Sequence, residues 1–527
     1  MRLLVSDQDS GSIKEIVFPF DTNTSDKTAP QPTSSLVYDK RGFTKHIQAL
    51  IRVGKNKQWI ISARKDGSVG LYKVSEPAKR SPEEQAKEEE AKKEDTKKND
   101  KNKPAFATKI GEDGRFPLIY EWPAHTATNP LPEDAPKHAR GDSIVGLAEE
   151  YPGGIVMTLS KEGKLVAYDL LAASMSQKQD SANDEEKNKE STFSSKTVLA
   201  TQNLPGKEYT CLAVHPSRPG IIAVAGNEVE VKVYGADWEN EDKEKEVLTP
   251  LWQPRNVKRD ELGLKIPIWV ESVFFLEEPS NTSPIGTSWG YLDEDDEEEK
   301  KKKFTFTTKL ATVTHHGEVR IYHPEKSPRP VTRLRLTQRD GDFLSIAGVG
   351  KLHYNKEDTV EKGNEDDDNE DIYSATPLSL LVTDRKTSTY VVNIEDNTRL
   401  KMVGKLHGAT GSIGALAQYT QPAATDGEGV ESYENGAQQY VVTGSLDRFV
   451  RVYDPDTRRQ AAKVYVGTRP TGVIVLDGFE KDGGYDGETE ERVKRQREEA
   501  EDEALWSKLD KAEDEEPSKP VKKSRTE

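Results

Sequence analysis

The chain has 527 residues, a formal net charge of −17 and a single cysteine, Cys211, so it can neither close an internal disulfide nor build a cysteine-based zinc site, and a reducing compartment is expected. Only 33% of its residues are hydrophobic against 32% charged, which places much of the chain outside any core. No stretch approaches the roughly 18 to 20 apolar residues of a membrane helix, and no signal-peptide pattern opens the chain, so a soluble intracellular protein is expected.

The first predicted elements are an apolar hairpin, residues 3–6 and 13–18, turning at Ser10 and Gly11 with Ile16 six positions after the first. The same spacing returns as Asp66, Gly67, Tyr72; Glu162, Gly163, Tyr168; Glu228, Val229, Tyr234; His316, Gly317, Tyr322; Asp384, Arg385, Tyr390; and Asp447, Arg448, Tyr453. Each copy reads as a strand, a tight turn and a second strand ending at the aromatic. An apolar strand precedes the later hairpins, at residues 47–53, 143–148, 209–214, 268–276, 343–349 and 412–417. Cys211 falls inside the third of these and reads as a small buried hydrophobe. A fourth strand follows the tyrosine strand, as at residues 118–122, 331–336 and 463–466.

Four strands per unit, repeated in phase, predict a seven-bladed β-propeller. The last inner strand, residues 472–476, has no hairpin after it, and the opening hairpin has no inner strand before it. The two ends should therefore complete one blade, leaving no open sheet edge. The propeller is expected over residues 1–479, with an acidic tail over 480–527.

Polar, charged segments at about 76–103, 172–195, 235–246, 277–303, 353–374 and 422–438 interrupt the blades and are expected to be disordered. Acidity is local: residues 239–246, 291–303, 357–371 and 480–527 together carry −20 and leave +3 for the rest, so net charge excludes no partner. All six interruptions join an inner strand to the second, or a third strand to the outer, so they share one face with the tail. Links from one outer strand to the next inner strand share the other face, and they hold Arg41, Lys45, Arg255, Lys258, Arg259, Arg339 and Arg469. The one long link, residues 123–142, adds His125, His138 and Arg140. These cations suit phosphates or a protein partner; alternatively they are solvated charges beside carboxylates.

The aspartates of the repeat, Asp66, Asp384 and Asp447, invite a catalytic reading, but a shared place in the turn favours capping of backbone N–H groups. His315 and His316 are adjacent and would point to opposite sides of a strand, a poor arrangement for one metal. No phosphate loop, nucleophile elbow or zinc-protease motif is present, so no enzyme, no metal and no cofactor is expected. In the tail, Leu505, Trp506 and Leu509 sit at helical spacing and would either dock on the propeller or bind a partner. Lys519, Lys522, Lys523 and Arg525 read as a nuclear or nucleolar signal.

The hairpin copies resemble WD repeats with tyrosine in place of tryptophan. The run from Tyr440 to Asp477, "TGSIGAL" at residues 410–416, "DEALWSKL" at 502–509 and the closing "KPVKKSR" are similar to the nucleolar ribosome-biogenesis family of WD-repeat protein 74, most closely its fungal branch. The resemblance implies a non-enzymatic scaffold in pre-60S particles, bound to other assembly factors and ribosomal RNA and released by an AAA ATPase. It would be monomeric within a large particle, with neither membrane nor small-molecule substrate. The alternatives are a WD-repeat scaffold or substrate receptor in another nuclear complex, and a propeller hydrolase. The hydrolase needs polar residues converging on the channel, which the apolar inner strands do not offer.

Overall fold

The computed structural model describes residues 1–42, 45–54, 56–74, 116–130, 141–150, 154–180, 197–238, 247–259, 262–264, 266–276, 306–336, 351–352, 378–384, 387–395, 399–420, 439–455 and 457–479. Among these residues the strands form seven four-stranded antiparallel sheets, all within the unit Met1–Gly478.

From the innermost strand outward, blade 1 is Ile47–Val53, Trp59–Arg64, Val69–Lys73 and Leu118–Trp122. Blade 2 is Ile144–Glu149, Ile155–Ser160, Lys164–Asp169 and Val198–Asn203, and blade 3 is Tyr209–Val214, Ile221–Gly226, Lys232–Ala236 and Leu248–Trp252. Blade 4 comprises Val270–Leu276, Lys309–Thr314, Glu318–Tyr322 and Thr332–Arg335; blade 5, Lys351–Leu352, Leu378–Thr383, Thr389–Glu395 and Arg399–Leu406. Blade 6 follows with Ile413–Thr420, Gln439–Ser445, Phe449–Tyr453 and Gln460–Tyr465. In the closing blade, Pro470–Asp477 is innermost and pairs with Arg2–Asp7, which pairs with Ile13–Val17 and then Ser34–Tyr38.

Sequence pattern explains the layering. Second strands are covered on both faces by neighbouring blades, so they read as continuous apolar runs; Arg2–Asp7, Ile221–Gly226 and Gln439–Ser445 are buried at every position. Outer strands such as Thr332–Arg335 alternate between half-buried and exposed. The core lies between blades: Val53, Ile61, Leu71 and Trp122 of blade 1 pack on Val156, Val166 and Tyr168 of blade 2. The Trp122 and Tyr168 rings lie 4.7 Å apart, and the indole N–H donates to Thr197 Oγ1 at 3.2 Å. Innermost strands approach closely, and a Cβ on Gly146 would collide with Leu212 of the next blade.

Three features depart from the expectation. The described innermost strand of blade 5 is Lys351–Leu352, and the anticipated strand at 343–349 lies outside the described residues. Residues 170–180, most of them assigned to an unstructured insertion, form a helix. The Asp169 carboxylate accepts the N–H groups of Leu171 and Ala172 at 2.8 and 3.0 Å, while Leu170 and Ala173 are buried in the cluster around Trp122. Finally, residues 21–24 cross the joint and lie along the outer strand of blade 6. Lys463 N–H donates to Thr22 O at 2.7 Å, and the N–H groups of Thr24 and Asp21 donate to Lys463 O and Ala461 O, both at 3.0 Å. An exposed sheet edge is thereby covered by the chain itself.

Candidate binding surface

The repeat aspartates are tied into their turns. Asp66 Oδ1 accepts the Ser68 N–H at 3.1 Å and its hydroxyl at 2.6 Å, and Asp384 Oδ1 accepts the Ser388 N–H at 2.8 Å. Asp447 does more: it accepts the Phe449 N–H and the Ser445 hydroxyl, both groups of Thr410 from the link entering the blade, and the buried Arg451 guanidinium at 2.7 Å. Burial alone would raise the Asp447 pKa; the Arg451 guanidinium, the Ser445 hydroxyl and the Thr410 and Phe449 N–H groups outweigh it and hold the carboxylate well below the ordinary range. The six tyrosines of the repeat are all buried, and Tyr453 anchors its hydroxyl on His407 O at 2.8 Å. These are structural roles. At the first of the turns, Gly67 has φ +80°, and a Cβ there would strike the His125 backbone and the Thr128 hydroxyl of the following link.

The basic residues separate into engaged and exposed. Arg41 binds Asp39 at 2.6 Å and also Glu121 of blade 1's outer strand, and its side chain is only 18% exposed. Burial works against this cation, but the Asp39 carboxylate, aided by Glu121, raises its pKa above the usual arginine value. Lys45 lies 3.6 Å from Asp66. For these two, pairing with nearby carboxylates accounts for the charge. Arg469 is exposed, and its carbonyl accepts the Gln8 N–H at 3.0 Å beside the turn of the closing blade. Arg339, His138 and Arg140 lie outside the described residues, as do Leu505, Trp506, Leu509, Lys519, Lys522, Lys523 and Arg525 of the tail.

Arg255, Lys258 and Arg259 are exposed on the link between blades 3 and 4. This link does not simply span the expected face. The end of blade 3 meets the third-to-outer connection of blade 4. There the Arg255 N–H donates to Pro328 O at 2.6 Å, and Arg329 donates to Asn256 O at 2.8 Å. The Asn256 amide then donates to Ile266 O at 2.7 Å, clasping these two positions together. Beyond the clasp, Glu228 N–H donates to Ile268 O at 2.8 Å, and the Trp269 ring stacks on His315, with centroids 3.7 Å apart and planes at 5°. Between the clasped ends stand Leu262, 84% exposed, and Leu264, 61% exposed. In the sequence the cations stand out, whereas the leucines are marked only by "ELGLK", which places them beside glycine in a charged link where no strand pattern claims them.

His315 and His316 occupy the turn of blade 4 rather than a strand, which corrects the geometry expected of them. His315 Nδ1 lies 2.5 Å from Glu271, and the two imidazoles meet edge to face at 88°. Among the described residues no group of three or more His, Cys, Asp or Glu side chains is placed to hold a metal ion, and no helix is long and apolar enough to cross a membrane. Cys211 is buried, with Sγ 3.8 Å from Ala225 O, and burial pushes its thiol up to about 12. The native protein should therefore leave 5,5′-dithiobis(2-nitrobenzoate) unreacted until it is unfolded, when one thiol titrates; prompt release of thionitrobenzoate from the folded protein would contradict this burial.

No family model matches the chain. It is similar along its length to the ribosome biogenesis protein NSA1 of Candida glabrata, 26% identical over 97% of this chain and 98% of that protein. The protein of the same name from Yarrowia lipolytica is 23% identical, over 97% and 95%, and that of Saccharomyces cerevisiae is 24% identical, over 97% of each. Among solved structures, Saccharomyces cerevisiae Sqt1 aligns with 81% of this chain and 77% of its own at 10% identity and a TM-score of 0.40.

Proposed function

We propose, from the premise that this chain is similar over 97% of its length to the fungal proteins named ribosome biogenesis protein NSA1, that it is a non-enzymatic ribosome-assembly factor. Its propeller acts as a rigid scaffold within nucleolar precursors of the large subunit, where it contacts other assembly factors and ribosomal RNA as one copy per particle and is released by an AAA ATPase. The observation that carries the reading is likeness over 97% of the chain rather than over the repeats alone, because a shared fold by itself does not imply a shared task. A binding role also agrees with the structure of the repeat, whose aspartates are consumed in holding turns. Exposed cations at Arg255, Lys258, Arg259 and Arg469 offer contacts, and the basic terminus from Lys519 to Arg525 directs the protein to the nucleus and nucleolus.

The test is sedimentation of the tagged full chain from cells, with affinity purification at low salt followed by mass spectrometry and RNA sequencing. The protein is expected to run with large-subunit precursors and to bring down their RNA. A protein that runs free, or that brings down a different nuclear complex, would refute the assembly role and leave the fold untouched.

A further inference from the structure

Elsewhere on the outer-to-inner links, Arg41 and Lys45 are satisfied within the fold and Arg469 stands singly. The link from Arg255 to Ile266 differs in combining three exposed cations with two exposed leucines among its described residues. No ion pair to Arg255, Lys258 or Arg259 occurs among the described residues, and Leu262 is the most exposed of the large apolar side chains among them. Both ends of the loop are fixed, through Pro328, Arg329 and the Asn256 clasp on one side and the Trp269–His315 stack on the other.

We propose that this loop is a docking point for an acidic, apolar-bearing segment of a protein partner. Nucleic acid would satisfy the cations, because phosphates need only positive charge and hydrogen-bond donors. It would leave two leucines, 84% and 61% exposed, facing a charged backbone with nothing to bury them. A protein segment with carboxylates flanking large apolar side chains answers both features. The leucines supply the desolvated centre and the cations the rim that steers and orients. Anchoring at both ends lowers the ordering cost on binding. The inference rests on the assembly reading only for where the partner is found, not for its chemistry.

The experiment uses the full chain in cells with Leu262 replaced by the photoreactive residue p-benzoyl-phenylalanine. Illumination is expected to give a nuclease-resistant, protease-sensitive adduct, whose crosslinked peptide is sequenced and synthesised as the probe. That peptide should carry net negative charge and large apolar residues, and should bind the purified full chain. The R255E/K258E/R259E variant should weaken binding about tenfold or more, and a peptide with its acids changed to lysine should restore it. L262S/L264S should cost about tenfold with either peptide. Both variants should melt with the unaltered chain, since the changed side chains are exposed. An RNA adduct, no adduct, or full affinity in L262S/L264S would overturn the docking site. If the peptide passes while the protein sediments free of ribosomal precursors, the assembly reading fails and the docking stands. Sedimentation with precursors together with an RNA adduct at position 262 sinks the docking alone.

Discussion

Replacing Asp447 with alanine is expected to destabilise the propeller by about 3–5 kcal/mol, the range for removing one partner of a buried ion pair. The variant leaves the Arg451 guanidinium, 2% exposed, without its carboxylate, and it frees both donors of Thr410, so blade 6 loses two of its ties to the incoming link. Urea unfolding measures the effect. A double variant, Asp447→Ala with Arg451→Met, should recover part of the loss because no charge is then stranded. The pH dependence follows from the direction of the Asp447 shift. Its folded-state pKa lies below the ordinary 3.8, so the unfolded chain takes the proton first as the pH falls. The stabilisation is whole above about pH 5 and drains away below about pH 4. The gap between wild type and Asp447→Ala should narrow over that acid range; a gap that stays constant to pH 3 would remove Asp447 as its source.

Deletion of residues 1–7 should have the larger consequence, loss of cooperative folding. It removes the strand between Pro470–Asp477 and Ile13–Val17, in which Leu3, Leu4 and Val5 are fully buried. Burial of three such side chains contributes about 5–9 kcal/mol at roughly 1.5–3 each, comparable with the total stability of about 5–15 kcal/mol of a typical domain. The inner strand Pro470–Asp477 would then show a bare edge, so aggregation should accompany the loss. Leu4→Ala gives a graded version, about 2–5 kcal/mol. Light scattering and a thermal melt decide the matter, and an unchanged, cooperative melt of the deleted protein would show that the joint does not hold the ring.

The hairpins were legible in the sequence because turn chemistry and strand alternation are local, and six tyrosines at one spacing set the phase. The closing blade could be read by elimination, since one inner strand and one hairpin were left over. Its outer strand, Ser34–Tyr38, was not, because a long polar stretch separates its three apolar residues, Leu36, Val37 and Tyr38, from the strand Ile13–Val17 that they join. The helix after Asp169 was hidden by its composition: among its residues of described burial only Leu170 and Ala173 are held in the core, and the site that receives them is made by Trp122 of another blade. At the candidate surface, residue types were readable and their availability was not. Arg41 and Arg255 look alike in sequence, yet Arg41 is claimed by Glu121, 80 residues along the chain.

The joint between the two ends also fixes a schedule. Arg2 reaches Asp477 across a separation of 475 residues, and Leu4 pairs with Ile474. At a synthesis rate of about 5–20 residues per second, the opening strand waits roughly half a minute to a minute and a half for its partner to be made. Throughout that interval an apolar strand has one open side. Ring closure therefore follows the synthesis of all seven blades and is not an event of early folding.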